Sequence, residues 1–318
     1  MLCVKICYVK LADLRLNSLI AIFRFIQHKP TSMKNKSASR RQFLQQSFLA
    51  GTALITAPSL FNNTATAAEQ STVNKQDRLK LGIAGYSFVH FNLEQSLAMM
   101  KRMNVRYLCI KDFHLPFDSS AEQIAAFHKQ LADANVKGYA VGPIYTKSTQ
   151  DIDKAFDYAK RVGVDLIVGI PEIKDLPYVS QKCKETNIRY AIHNHGPEDK
   201  IYPNATVIWN NIKSLDKNVG MCFDMGHNMR DGQDPLKDLL RYKDRIFDLH
   251  LKNVTSATAE GKTCELGRGV IDIPAFVKGL LKINYQGSCS LEFEKDMKDP
   301  LAGLAESVGY FRGVLSAV

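Results

Sequence analysis

The chain has 318 residues and a formal charge of +10. The basic surplus is local: residues 1–68 hold nine Lys or Arg against one Asp, which is +8 and leaves +2 for residues 69–318. A folded part this close to neutral lacks the basic surface that releases counterions from a phosphate backbone, which argues against nucleic-acid binding.

The first stretch reads as a targeting region, residues 1–68. Arg40 and Arg41 stand in SRRQFL, followed by the apolar run FLAGTALITAPSLF and the small residues of TATAA. An arginine pair, a moderate apolar region and an Ala-x-Ala-like site, in that order, make a twin-arginine export signal over about residues 33–68. An amphipathic N-terminal helix with two chance arginines is the plain alternative. Gly51, Thr52, Thr56 and Pro58 leave the apolar run too short and too polar to span a bilayer stably. Met33 opens MKNKSASRRQFL like an ordinary start, so residues 1–32 read as a mis-called extension; they also hold a second apolar segment, LNSLIAIFRFI, which Arg24 interrupts. The expectation is an exported, periplasmic protein whose partner on the way out is the twin-arginine machinery. Residues 69–78 are polar and read as a flexible lead-in.

Residues 79–318 alternate strand and helix signals. The strand-like runs are LKLGIAGYSF, YLCIKDF, VKGYAVGPIY, DLIVGIP, IRYAIHNH, VGMCFDMGH, IFDLHLKN and GSCSLEFE, eight in all. They are short and apolar, as strands covered on both faces should be. Between them lie stretches with apolar spacing near 3.6. SAEQIAAFHKQLADAN starts on a Ser/Glu pattern like a capping box, and TQDIDKAFDYAKRVG ends on Gly163, a C-cap signal. Pro235 and Pro274 fall early in two others, where a first helical turn tolerates them. This pattern predicts an α/β fold with a parallel sheet, closed most naturally into a (β/α)8 barrel of about 250 residues. No GxGxxG follows the first strand, so nothing points to a dinucleotide site. Cys109, Cys183, Cys222, Cys264 and Cys289 are odd in number and form no CxxC, which argues against a disulfide framework. The longest connection, TSATAEGKTCELGRGVID, follows the seventh strand and is long enough to suggest function.

Barrels of this kind do their chemistry at the C-terminal strand ends. There stand Glu172 after the fourth run, His193 and His195 with Glu198 beyond them, Asp224 and His227, His250 and Lys252, and Glu292 and Glu294. Any one of these alone is more simply a turn former, a cap or a solvated charge. Together they deliver a His or a carboxylate from each of four consecutive strands to one rim, which packing does not require. Strand alternation puts His193 with His195, and Glu292 with Glu294, on shared faces. A mixed His/carboxylate set suits Zn, Mn, Co or Fe rather than an all-oxygen magnesium cage.

With AIHNHG, CFDMGH, DLHLKN and the terminal LEFE, the chain resembles the sugar phosphate isomerase/epimerase group of the xylose isomerase-like TIM barrels over about residues 79–318. That superfamily also holds ketose 3-epimerases, inosose dehydratase and endonuclease IV. The resemblance implies a divalent ion held by Asp224, His250, Glu292 and a strand-five residue. The epimerases carry a Glu at that last position; here it is His193, with His195 as the other choice. It further implies catalytic or substrate-contacting roles for Glu292, His227, Lys252 and Glu172, with His195, Glu198 and Glu294 binding substrate. The expected function is isomerisation or epimerisation of a sugar or keto sugar, by proton abstraction alpha to a carbonyl through a metal-stabilised enediolate. With one of the two epimerase Glu residues replaced, a lyase or hydrolase step on 3-keto-glycosides is the alternative. A non-catalytic carbohydrate-binding barrel is a reading of another class. The endonuclease reading is disfavoured, because only His90 and His114 stand on the early strands and the domain is nearly neutral.

Overall fold

The computed structural model describes residues 78–318. The expected targeting region, and all of the expected 69–78 lead-in but its last residue, lie outside the described residues. The barrel strands begin with β1 (Lys80–Ala84), β2 (Tyr107–Ile110), β3 (Lys137–Thr146) and β4 (Leu166–Pro171). They continue with β5 (Arg189–His193), β6 (Val219–Asp224) and β7 (Ile246–Leu251). A two-residue hairpin, β8 (Asn253–Val254) with β9 (Thr263–Cys264), follows before the last barrel strand, β10 (Ser288–Leu291). The barrel pairs are parallel, and β1 closes on β10 with Lys80 opposite Ser288, so the expected (β/α)8 architecture is what the chain forms.

Strong local signals set the helices. In α1 (Leu93–Met103), Asn92 and Gln95 exchange side-chain and backbone hydrogen bonds, which satisfies two orphan N–H groups. In α2 (Ala121–Asp133) the capping box uses Gln123 rather than the Glu expected from sequence; Glu122 instead accepts from the Ser120 hydroxyl at 2.7 Å. α3 (Thr149–Val162) starts on Ser148 and stops at Gly163, whose φ of 77° is left-handed. α7 (Pro235–Tyr242) and α8 (Ile273–Lys282) carry their prolines in the first turn, and α9 (Leu301–Ala317) closes the chain. The structure adds α4 (Leu176–Thr186), α5 (Ala205–Ile212) and the six-residue α6 (Met225–Arg230), which sequence reading did not single out. α4 is half polar and α5 is only eight residues long, so neither shows a full apolar stripe.

Alternation along the strands makes two cores. Leu108, Ile110, Ile167, Ile192, Phe223 and Leu249 join the helices in the main apolar cluster. Cys109, Ala140, Val168, Ala191 and Cys222 form a second, separate cluster of small residues inside the barrel. Fully burying each large apolar side chain contributes roughly 1.5–3 kcal/mol. The five cysteines are buried and free, in keeping with a core made without disulfides. Among the described residues, no helix is long and apolar enough to cross a membrane.

Candidate active site

Four neighbouring strands meet at the barrel mouth. Register places Asp224 beside His250, His193 beside Cys222, and Leu291 beside Leu251, so the ends of β5, β6, β7 and β10 come together. His193 Nε2 lies 2.8 Å from His250 Nδ1 and 3.7 Å from both Asp224 Oδ2 and Glu292 Oε2. His250 Nδ1 lies 3.2 Å from Glu292 Oε2. All four side chains are buried.

Each is held by local structure. Asp224 ends β6 and caps α6: its Oδ1 accepts the His227 N–H at 2.7 Å, leaving Oδ2 to face the cluster. Asn194, the residue after His193, clamps the Asp224 backbone with two hydrogen bonds of 2.9 Å. Lys252 is 1% exposed and lies among the carboxylates, 3.0 Å from Asp224, 2.9 Å from Glu292 and 2.6 Å from Glu294. Its Nζ also donates to His227 Nε2 at 3.0 Å. Gly226 makes room for it, because a Cβ there would meet Lys252 Cγ at 2.6 Å.

Burial and charge compete at every member. Burial raises the Asp224 carboxyl against the pull of Lys252. Burial would also raise Glu292, but His250 and Lys252 hold it well below the usual range. Burial works against the Lys252 ammonium, yet Asp224, Glu292 and Glu294 keep it firmly protonated. Burial drives His193 well below the ordinary imidazole value, helped by His195. Burial and Lys252 bring His227 down to about 3. His250 goes the other way, because Glu292 outweighs its burial.

The donor set fits a divalent ion. Ligand atoms about 2.0–2.1 Å from a tetrahedral zinc stand about 3.3 Å apart, and four of the six separations here run from 2.8 to 3.7 Å. Of these converging atoms Asp224 Oδ2 has no hydrogen-bond partner; it lies near Lys252 but off the hydrogen-bond direction. With neutral imidazoles, the three carboxylates outnumber the single ammonium by two charges.

The cluster floors a cavity of about 210 Å³ walled by Tyr86, Lys111 and Tyr145. His195 and Glu294 line it as well. His195 is held by Asp199 at 3.1 Å and lies parallel to the Tyr145 ring. Of the two strand-five histidines, then, His193 joins Asp224, His250 and Glu292, while His195 sits higher on the wall. Glu198 is exposed and pairs with Arg230, which also bonds the Ala259 carbonyl at 2.6 Å. Glu172 is half-buried at the start of a turn, where its backbone carbonyl accepts the Asp175 N–H, and it does not line this cavity. A wider cavity of about 400 Å³, among Lys80, Lys137 and Arg189, holds none of the cluster residues; the converging donors lie with the smaller one.

Sequence reading missed Tyr86, Lys111, Tyr145, Asn194 and Arg230. It also missed a polar layer one step deeper. There the Tyr139 hydroxyl reaches both Asp248 oxygens at 3.0 Å and lies 2.6 Å from Ser290 Oγ.

The profile of the xylose isomerase-like TIM barrel family matches residues 84–314. An inosose dehydratase of Mesomycoplasma hyopneumoniae (strain J) is 25% identical over 238 residues, 61% of this chain and 79% of that protein. The IolI protein, whose crystal structure holds a zinc atom, superposes with a TM-score of 0.61 at 17% identity, over 75% of this chain and 99% of that one. The 3-keto-D-glucoside 4-epimerase YcjR of E. coli gives 0.60 at 15% identity, over 74% and 99%. The two structural likenesses speak to the fold alone.

Proposed function

Because the chain belongs to the xylose isomerase-like TIM barrel family, we propose that it is a divalent-metal-dependent enzyme that removes the proton alpha to the carbonyl of a sugar or sugar-like keto compound. One observation carries this reading: His193, Asp224, His250 and Glu292 offer four converging donor atoms, all within 4.8 Å of one another, in a buried group. These four would hold the ion. When bound, a divalent cation supplies Lewis-acid polarisation of the carbonyl. The names of the inosose dehydratase and 3-keto-glucoside epimerase relatives, and the zinc of IolI, agree with this reading.

The chain's own residues supply the rest. Glu292 meets the cluster through Oε2, which leaves Oε1 for a proton. The cations that keep Glu292 ionised also weaken it as a base, so it suits only a carbon already made acidic. His227 lines the cavity where negative charge would develop on substrate oxygens, and Lys252 lies buried behind it, 3.0 Å from its Nε2. A buried ammonium this close to the reacting oxygens is worth far more than in water. Glu294 and His195 line the wall and orient the ring.

His193 favours a second outcome after the same first step. Its imidazole stands where the resemblance implies a carboxylate, and a ligating imidazole has no free lone pair to take a proton. One dominant base suits isomerisation within one face of the sugar, or elimination of a leaving group, better than exchange between two equivalent carboxylates. The test is solvent-deuterium exchange into keto sugars by protein loaded with Zn, Mn, Co or Fe in turn. Metal-dependent exchange is expected; tight metal binding without exchange into any keto sugar leaves a binding barrel instead.

The arginine pair supports export, and an exported enzyme meets unphosphorylated sugars. Replacing Arg40 and Arg41 by Lys should hold the precursor in the cytoplasm. Undiminished recovery from the cell envelope would remove the export reading and leave the site untouched.

A further inference from the structure

We propose that the cavity has a second subsite over the ends of β2 and β3, which holds the other sugar ring of a two-ring, uncharged substrate whose keto ring lies on the cluster. The proposal rests on the sugar-processing reading and extends it to the size and charge of the substrate.

The inner cavity, at about 210 Å³, is smaller than the roughly 300–1,000 Å³ of ordinary small-molecule sites. Beside it opens a hollow of about 450 Å³, and Lys111, Pro143 and Tyr145 line both. The shared wall is held in place. Lys111 Nζ donates to Asp112 at 2.6 Å and to the Pro143 carbonyl at 2.9 Å. The Tyr145 ring lies 5.9 Å from that of His195, at 13° between planes. At 60%, Tyr145 is the most exposed of the large hydrophobic side chains among the described residues. An aromatic face left this open beside a reaction cavity is a platform awaiting an apolar surface.

The outer hollow has the chemistry of a sugar site. Phe117 and Ile144 give it apolar walls, and the Phe117 ring is fixed against Tyr158 at 4.7 Å. Asp112, Asp151 and Lys154 offer polar groups to hydroxyls around the rim. Two carboxylates are matched there by Lys111 and Lys154, so the hollow has no net charge with which to attract a phosphate. A pyranose ring, with apolar faces and a hydroxylated edge, meets both demands.

The test compares turnover of 3-oxo-glucose and 3-oxo-cellobiose by the metal-loaded protein. The ratio of the two kcat/KM values cancels differences in metal loading and active fraction. It should favour the two-ring substrate at least tenfold. Phe117→Ala should cut that ratio at least fivefold. Because Phe117 packs against Tyr158, Lys154→Trp is the companion variant: it adds bulk from an exposed helix position and leaves the core alone. A ratio near one in the unsubstituted protein, or a ratio unchanged in both variants, overturns the subsite. Calorimetric binding of cellobiose against methyl β-glucoside separates the two readings. Cellobiose should bind at least tenfold tighter, with the advantage lost in Lys154→Trp. Equal binding removes the subsite even if turnover survives. Absent turnover with the binding difference intact removes the reaction and keeps the subsite.

Discussion

On β7, Asp248 and His250 stand two residues apart on the same inner face, yet their surroundings differ. Asp248 is enclosed by partners: both its oxygens lie 3.0 Å from the Tyr139 hydroxyl, and Cys222 Sγ adds a weaker contact at 3.6 Å. One layer up, His250, Asp224 and His193 each keep a buried polar atom with no hydrogen-bond partner. Buried groups without partners are costly, and of these atoms Asp224 Oδ2 is the one that also faces the converging donors. The lower layer closes on itself and belongs to the fold. This difference distinguishes the two layers where burial does not, since both are buried.

The sharpest way to break the contrast is in the upper layer. Asp224→Ala and His250→Ala should each lower metal affinity by more than the roughly 10–100-fold typical of outer-shell changes, with the fold retained by circular dichroism. With metal in excess, Glu292→Gln should cut solvent exchange at the alpha carbon by about 10²–10⁴-fold, whereas His193→Gln should act mainly through metal affinity. If the His193 variant loses exchange at full loading while the Glu292 variant keeps it, the base has been assigned to the wrong strand.

Lys252→Met tests the charge balance itself. Removing the ammonium strands Asp224 and Glu292 in a buried site, which should cost about 3–5 kcal/mol in the metal-free protein. A saturating divalent cation should restore much of that in a denaturant titration. If the loss is the same with and without metal, Lys252 has no part in the balance.

In the lower layer, Asp248→Asn should leave metal content unchanged and alter only stability. Burial pushes the Asp248 carboxyl up to about 6, against about 3.9 unfolded. The native state therefore holds an extra proton between those values. In the metal-free protein this contribution is complete below about pH 4 and disappears as pH rises through 6, a change of about 1–3 kcal/mol. The Asn variant should lack that slope. The smallest effect is expected far from both layers. Arg268 bonds Glu306 at 2.6 and 2.7 Å but is 63% exposed, so Arg268→Ala should leave the denaturation midpoint almost unmoved, and less moved still in high salt.

The sequence disclosed the upper layer because period-two alternation and strand ends are local. His193, Asp224, His250 and Glu292 could each be found from their own strand. The lower layer needed register: Asp248 opposes Cys222 only through a shift in the β6–β7 ladder after Met221, and Tyr139 reaches it from another strand. Tyr86, Lys111 and Tyr145 escaped notice because the strand-end signal rests on histidines and carboxylates, and a lysine and two tyrosines carry neither. The strand-end rule also reached too far. Glu172 and Glu198 stand at the correct end of the barrel, but one opens a turn and the other pairs with Arg230 in an exposed loop. Position along the chain sets the rim; it does not set which way a loop side chain turns.

The missing side chain at Gly226 has a reach beyond this molecule. Lys252 can lie among the carboxylates only because nothing projects from residue 226, so two letters 26 positions apart form a single lock. In diverging barrels of this lineage the pair should be inherited or lost as a unit. Where a larger residue replaces the glycine, the lysine has no seat, and the carboxylates must find their counter-charge elsewhere. A comparison of many such sequences can read that choice directly, as two alignment columns that change together.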